Sequence, residues 1–197
     1  MNQRVPDSEN VKISKYLTQI LRHRATKMGY NIDASGYVPI DEIIKKRNDI
    51  TFEKIQEIVD TNDKKRFELE KRLNGWYIRA VQGHSIPTIN PDLYLVTDPS
   101  EIPVVVHGTN RKAYQSIKNN GLSRMQRNHI HFAHGTPDDP TVVSGMRHSS
   151  EVMIYINVDE AMINGIKFYK SSNGVILSSG INGIIDPKYF LKVEFVK

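Results

Sequence analysis

Residues 67–80 read Phe67-Glu68-Leu69-Glu70-Lys71-Arg72-Leu73-Asn74-Gly75-Trp76-Tyr77-Ile78-Arg79-Ala80, the stretch that sets the architecture expected of the first half of the chain. Phe67 and Leu69 alternate with Glu68 and Glu70, and Trp76, Ile78 and Ala80 resume the period of two after Asn74-Gly75. Asn-Gly between two alternating runs signals a β-hairpin, because both residues accept the positive φ of a tight turn. Upstream the period becomes helical. Ile13, Leu17, Ile20 and Leu21 follow the cap candidate Ser8, and Pro39 opens a second helix with Ile40, Ile43 and Ile44. Thr51 caps a third helix with the apolar stripe Phe52, Ile55, Ile58 and Val59. Three helices and a hairpin are the order of a winged helix, expected over residues 1–82.

Downstream, Pro87, Pro91 and Pro99 with Gly83, Asn90 and Asp98 give residues 83–102 the composition of a linker. Residues 103–197 read as a β-rich lobe, so the class expected is α+β. Strands are expected over 104–106, 129–133 and 152–158, and a hairpin over 168–177 turning at Asn173-Gly174. A helix over 111–119 would bury Tyr114 and Ile117 and end at Gly121.

Composition narrows the chemistry. The 197 residues include no cysteine, which excludes disulfide frameworks, thiolate nucleophiles and Cys-ligated zinc or iron–sulfur sites, and fits a reducing compartment. No apolar run approaches the roughly 18 residues of a membrane span, and residues 1–10 are polar with no apolar stretch after them. A cytoplasmic protein with no membrane association is expected. Lys plus Arg number 27 against 22 Asp plus Glu, a net +5. Placement says more than the sum. Residues 102–137 hold no carboxylate, yet carry Arg111, Lys112, Lys118, Arg124, Arg127 and four of the seven histidines. Such a segment sits in a positive field.

Several motifs within this frame can carry chemistry. Arg22-His23-Arg24 ends the first helix, where cations also complement the helix dipole; as a site, guanidinium and imidazole would grip an anion. Lys64-Lys65-Arg66 opens the hairpin, either as a solvated charge run or, through Arg66 rooted beside Phe67, as a directed cation. Gln82-Gly83-His84-Ser85 reads as a turn. His107-Gly108-Thr109 lies between a strand and a helix, where Gly108 would let a ligand approach and the helix amides would favour a phosphate. In a strand, Arg127, His129 and His131 would share one face. A metal reading of His129, His131 and His134 is disfavoured by the adjacent arginines, and no metal is expected.

In this order the motifs resemble the RNA 2′-phosphotransferases of KptA type. The resemblance runs from about Ile13 to the C-terminus. It rests on Leu21-Arg22-His23, Lys65-Arg66-Phe67, Ile78-Arg79-Ala80-Val81-Gln82-Gly83-His84-Ser85, His107-Gly108-Thr109, Arg127-Asn128-His129-Ile130-His131, Gly145-Met146-Arg147-His148 and Asn173-Gly174-Val175. Any one of these is a weak signal; seven in one order are a strong one.

The resemblance implies an N-terminal winged-helix lobe, a C-terminal lobe similar to ADP-ribosyltransferases, and an active site in the cleft between them. It implies removal of an internal 2′-phosphate from spliced RNA with NAD+ as acceptor. The RNA phosphate first displaces nicotinamide; the ribose 2″-OH then attacks phosphorus, giving 2′-OH RNA and ADP-ribose 1″,2″-cyclic phosphate. The phosphate-handling group falls on Arg22, His23, Arg66 and Arg127, with His23 as the candidate for moving a proton. The NAD+ site falls on His107, Gly108, Thr109, His131 and Arg147. The partners implied are RNA carrying a 2′-phosphate and NAD+, with no obligate protein partner. The chain departs from the family pattern at Ala25, where a proline is usual, at Ala133 for serine and at Ser149 for glycine, and residues 181–185 form a longer stretch than is typical.

Two rivals use the same residues differently. A winged-helix regulator with a ligand-sensing second lobe would need a basic third helix, but Lys54 there faces Glu53, Glu57 and Asp60. An ADP-ribosyltransferase modifying protein, nucleic acid or free phosphate groups would share the NAD+ site and differ in substrate.

Overall fold

A computed structural model describes residues 8–135, 139, 142, 145–147 and 149–196, without the side chain of Ser8. His148 of the Gly145–His148 motif lies outside the described residues. The chain forms two compact units that divide between Pro91 and Asp92, and its class is α+β.

In the first unit, α1 (Ser8–Gln19) continues into a π-helical turn, Ile20–Arg24, and a 3-10 turn, Thr26–Met28. β1 (Val38–Pro39) leads into α2 (Ile40–Lys46), followed by α3 (Phe52–Asp60), β2 (Phe67–Arg72) and β3 (Gly75–Ala80). Pro39 precedes α2 as expected, and Thr51 caps α3, its hydroxyl accepting the Lys54 N–H at 3.3 Å. The strands form an antiparallel sheet in the order β1-β3-β2.

The register opposes Phe67 to Ala80 and Arg72 to Gly75. This leaves Leu73 and Asn74 as the loop, and the positive φ, 132°, falls on Gly75. The turn therefore sits one residue before the Asn-Gly pair. Ile13, Leu17, Ile20, Leu21, Ile43, Ile55, Phe67 and Ile78 pack into one core. Each buried aliphatic or aromatic side chain of this size contributes roughly 1.5–3 kcal/mol. Ile86 and Ile89, inside the stretch whose composition suggested a linker, belong to the same core.

The second unit contains β4 (Tyr94–Leu95), β5 (Val106–Thr109), α4 (Arg111–Asn120), β6 (Leu122–Ser123), β7 (Ile130–Phe132) and β8 (Val152–Ile156). It continues with α5 (Val158–Ile163), β9 (Tyr169–Lys170), β10 (Ile176–Ser178), β11 (Ile184–Ile185) and β12 (Phe190–Phe195). One antiparallel sheet runs β4-β9-β10-β7 and another β12-β8-β5, with a two-stranded β11-β6 ribbon beside them. An antiparallel bridge between Val106 and Ala133 stitches β5 to the end of β7.

β8 is buried along its whole length, which explains its unbroken apolar sequence. It stops at Ile156 rather than at Val158, because the Asn157 side chain accepts the Glu160 N–H and starts α5. The strand expected over 104–106 is displaced to Val106–Thr109. The helix expected over 111–119 extends to Asn120 and ends at Gly121, with Tyr114 and Ile117 packed on the core. Among the described residues no helix is long and apolar enough to cross a membrane.

Candidate functional site

Arg22 and His23 lie in the π-helical turn, where the Ala25 N–H reaches back to the Ile20 carbonyl at 2.8 Å. Ile20 and Leu21 point into the core, which roots the turn and buries Arg22. The Arg22 side chain lies against Gly83: a Cβ there would stand 3.1 Å from its Cζ and Nε, and φ at Gly83 is +90°. Ser85 makes two bonds to the same turn. Its N–H donates to the Arg22 carbonyl at 2.8 Å, and its Oγ lies 2.9 Å from Nδ1 of His23. The segment from Gln82 to Ser85, which looked like a simple turn, is thus the support for both residues. Nothing local signals this, because the partners are 62 positions apart.

Arg66 stands just before β2. Its carbonyl accepts the Val81 N–H at 3.0 Å, extending the ladder that leads into Gly83. The preceding turn carries Lys65 at φ 42°. Asn62 Oδ1 accepts both the Arg66 backbone N–H at 3.2 Å and Nη1 at 3.5 Å. Burial lowers the proton affinity of this guanidinium, with Asp63 acting weakly the other way. Lys64 is lowered too, first by burial and then by the charge of Arg66.

In the second unit, His107 on β5 bonds through Nδ1 to the His131 carbonyl at 2.9 Å. A carbonyl only accepts, so Nδ1 carries the hydrogen and Nε2 of the neutral ring is an acceptor. Burial pushes the proton affinity of this imidazole down, which keeps it neutral. The space beside Gly108 is taken up by side chains of the same unit. A Cβ there would meet Met146 Cγ, and Ser150 Oγ at 2.5 Å, so its missing side chain makes room for the segment around Met146. Thr109 offers its carbonyl to the Glu151 N–H at 2.8 Å.

The start of α4 also differs from expectation. Asn110 Oδ1 accepts the Ala113 N–H at 2.7 Å, and Glu151 Oε2 accepts the Arg111 N–H at 3.1 Å. A carboxylate from outside the acid-free segment therefore occupies the Arg111 amide, and the cap residue Asn110 the Ala113 amide, both of which the sequence offered to a phosphate.

The strand carrying His131 covers only Ile130–Phe132, so the period of two does not extend to Arg127. Arg127 lies in a turn closed by its own N–H to the Arg124 carbonyl at 3.1 Å, and Arg124 Nη1 donates to the Arg127 carbonyl at 2.7 Å. Arg124 is held in turn by its N–H to the Gly183 carbonyl at 2.9 Å. Burial and then the like charge of Arg147 lower the proton affinity of Arg127, placing these two cations in one neighbourhood. His129 is lowered by burial and then by Arg124, and its ring meets Tyr169 edge-on at 6.0 Å.

The structure therefore forms two groupings. Arg22, His23 and Arg66 belong to the first unit; His107, Gly108, Thr109, Arg127, His131 and Arg147 belong to the second. Among the described residues, no carboxylate forms an ion pair with Arg66 or Arg127. Half-buried guanidiniums left in this condition suit phosphate oxygens, which bind them in a bidentate fork. Neutral His107, with its acceptor nitrogen, suits a sugar hydroxyl. His134 Nδ1 bonds to the Gly174 carbonyl at 3.0 Å. Among the described residues, no group of three or more His, Asp or Glu could hold a metal ion.

Comparison with known proteins bears on the same residues. The model of the family described as RNA 2′-phosphotransferase, Tpt1/KptA family, matches residues 8–180. The chain is 40% identical over 198 residues to the tRNA 2′-phosphotransferase 1 of Danio rerio, covering 97% of this chain and 88% of that protein. It is 37% identical over 186 residues to the tRNA 2′-phosphotransferase of Saccharomyces cerevisiae, covering 89% and 81%. A Schizosaccharomyces pombe relative is 44% identical over 191 residues; the match covers 96% of this chain and 52% of that longer protein.

Proposed function

Because this chain belongs to the Tpt1/KptA family of RNA 2′-phosphotransferases, we propose that it removes an internal 2′-phosphate from spliced tRNA or a similar RNA, with NAD+ as acceptor and through an ADP-ribosylated RNA intermediate. One observation carries the reading: Arg66 and Arg127 are half-buried cations with no paired carboxylate among the described residues. The element order of the first unit supports a winged-helix reading. The antiparallel sheets of the second support an ADP-ribosyltransferase-like one.

Arg22, His23, Arg66 and Arg127 are assigned to the 2′-phosphate. A phosphate dianion is already a competent nucleophile, so the first step calls for positioning and charge matching more than for a base. Fixed guanidiniums provide both, because their supports are built before the substrate arrives. In the second step charge builds on the phosphoryl oxygens; the same arginines stabilise it, and His23 exchanges a proton at a ring nitrogen.

His107, Gly108, Thr109, His131 and Arg147 are assigned to NAD+. The donor set fits: Nε2 of His107 would accept a hydrogen bond from a sugar hydroxyl, and Arg147 would pair with phosphate. When bound, NAD+ supplies an electrophilic anomeric carbon with a nicotinamide leaving group, and a neighbouring hydroxyl.

The deciding experiment incubates the protein with a 2′-phosphorylated oligoribonucleotide, with and without NAD+. Loss of phosphate only when NAD+ is present is the expected result. Phosphate loss without NAD+, or no reaction, would sink the proposal. RNA stalled in the ADP-ribosylated form would favour the reading as an ADP-ribosyltransferase of phosphate groups.

A further inference from the structure

We infer that Ser85 is a positioning residue for His23, holding the imidazole by Nδ1 so that proton exchange occurs at Nε2. The inference rests on the functional reading above. Its physical basis is the pair of bonds from one residue to consecutive members of the π-helical turn: N–H to the Arg22 carbonyl at 2.8 Å and Oγ to His23 Nδ1 at 2.9 Å.

A helix that ends leaves its last carbonyls in need of donors. The Arg22 carbonyl finds one in the Ser85 amide, which anchors the 82–85 segment to the turn. The position of the Ser85 hydroxyl is thereby fixed relative to the His23 backbone, and the side-chain bond inherits that precision. The Gly83 backbone, packed under Arg22, fixes the same segment two residues earlier.

An imidazole turns about its Cβ–Cγ bond and can present either nitrogen. Engaging Nδ1 with Ser85 selects the orientation in which Nε2 is the nitrogen turned away. With Nδ1–H donated to the serine oxygen, the bond persists whether or not Nε2 carries a proton. A proton gained at Nε2 makes the imidazolium, and its loss restores the neutral ring; neither change requires the ring to turn. Without the hydroxyl, the ring samples both orientations and spends part of its time with the wrong nitrogen toward the phosphate.

The test compares wild type, Ser85→Ala and Ser85→Thr with a 2′-phosphorylated RNA and NAD+, alongside the imidazole ¹⁵N shifts of His23. Ser85→Ala is expected to lower kcat at least about tenfold, toward the hundredfold that misplacement by 1 Å can cost. Its KM for RNA should change little, its pH–rate profile should move, and the Nδ1 shift of His23 should move with it. Ser85→Thr restores a hydroxyl and is expected to recover most of the rate, which separates positioning from a general loss of folding. An active wild type matched by Ser85→Ala in rate, pH profile and ¹⁵N shifts overturns the inference alone. An inactive wild type overturns the functional reading and this inference with it.

Discussion

The guanidinium of Arg22 rests on the backbone of Gly83, leaving 3.1 Å between its Cζ or Nε and the place a Cβ would occupy. Two requirements meet at this glycine: a φ of +90° and a flat surface beneath a buried cation. Gly83→Ala is expected to strain the backbone and to push Arg22 from its place. The protein should still fold, with a lower melting midpoint, and kcat should fall at least about tenfold, consistent with displacement of a charge-stabilising group. Wild-type turnover in Gly83→Ala would show that Arg22 tolerates the displacement.

Arg127 should not be replaceable by lysine. Its fork offers two parallel N–H bonds to a phosphate, and lysine offers a point charge. Arg127→Lys is therefore expected to lose at least about tenfold in kcat/KM for phosphorylated RNA, although the formal charge is unchanged. Equal kcat/KM in the two proteins would reduce the role of Arg127 to simple charge.

Arg124 acts on Arg127 from behind, through its bond to the Arg127 carbonyl. Arg124→Ala removes an exposed charged donor from that carbonyl, at a cost of about 0.5–1.5 kcal/mol. A lower melting midpoint together with a reduced kcat is the expected pair of results, read by calorimetry and by steady-state kinetics. Full activity with lowered stability would mean that the turn keeps its shape without the latch.

Thr51→Ala serves as a contrast on the folding side. Loss of this cap from α3 should cost about 1 kcal/mol of stability. A denaturant titration measures that change directly, and kcat is expected to stay at the wild-type value.

Acidity should loosen the second unit. His107 and His129 bind protons less readily when folded than when unfolded, His107 through burial and His129 through burial and then the charge of Arg124. The stabilising term is present above the ordinary imidazole value of about 6.5. As the pH falls through that value, the unfolded chain takes up protons first and stability declines. Melting curves from pH 8 to pH 5.5 should therefore shift downward on the acid side, and less steeply in His129→Gln.

The local elements were largely legible in the sequence. Thr51 as a cap, the apolar stripe of α3 and the alternation around Phe67 depend on near neighbours, and each appears where its pattern placed it. Val158 was not legible as a helix residue, since an apolar run cannot announce that Asn157 will cap a new helix inside it. The family was legible from motif order, and the matched model covers those motifs through Asn173-Gly174-Val175.

Long-range pairings at the candidate site were hidden. Neither the Ser85 bond to His23 nor the arrival of Glu151 at α4 leaves a trace in local spacing. Gly108 was legible as a special position, but its close approach to Met146 was not. Arg127 and His131 appeared to share a strand face because period-two reasoning assumes a strand, and that strand begins only at Ile130.

Glu151, seated on the first amide of α4, has a consequence for how this protein can change over time. A helix terminus that attracts phosphate is made of backbone and cannot be adjusted by substitution. Here the Arg111 and Ala113 amides of that terminus are already bonded from within, so much of the attraction for a charged ligand is delegated to individual long side chains. Each of those can be strengthened, weakened or retuned by a single codon while the scaffold beneath it stays the same.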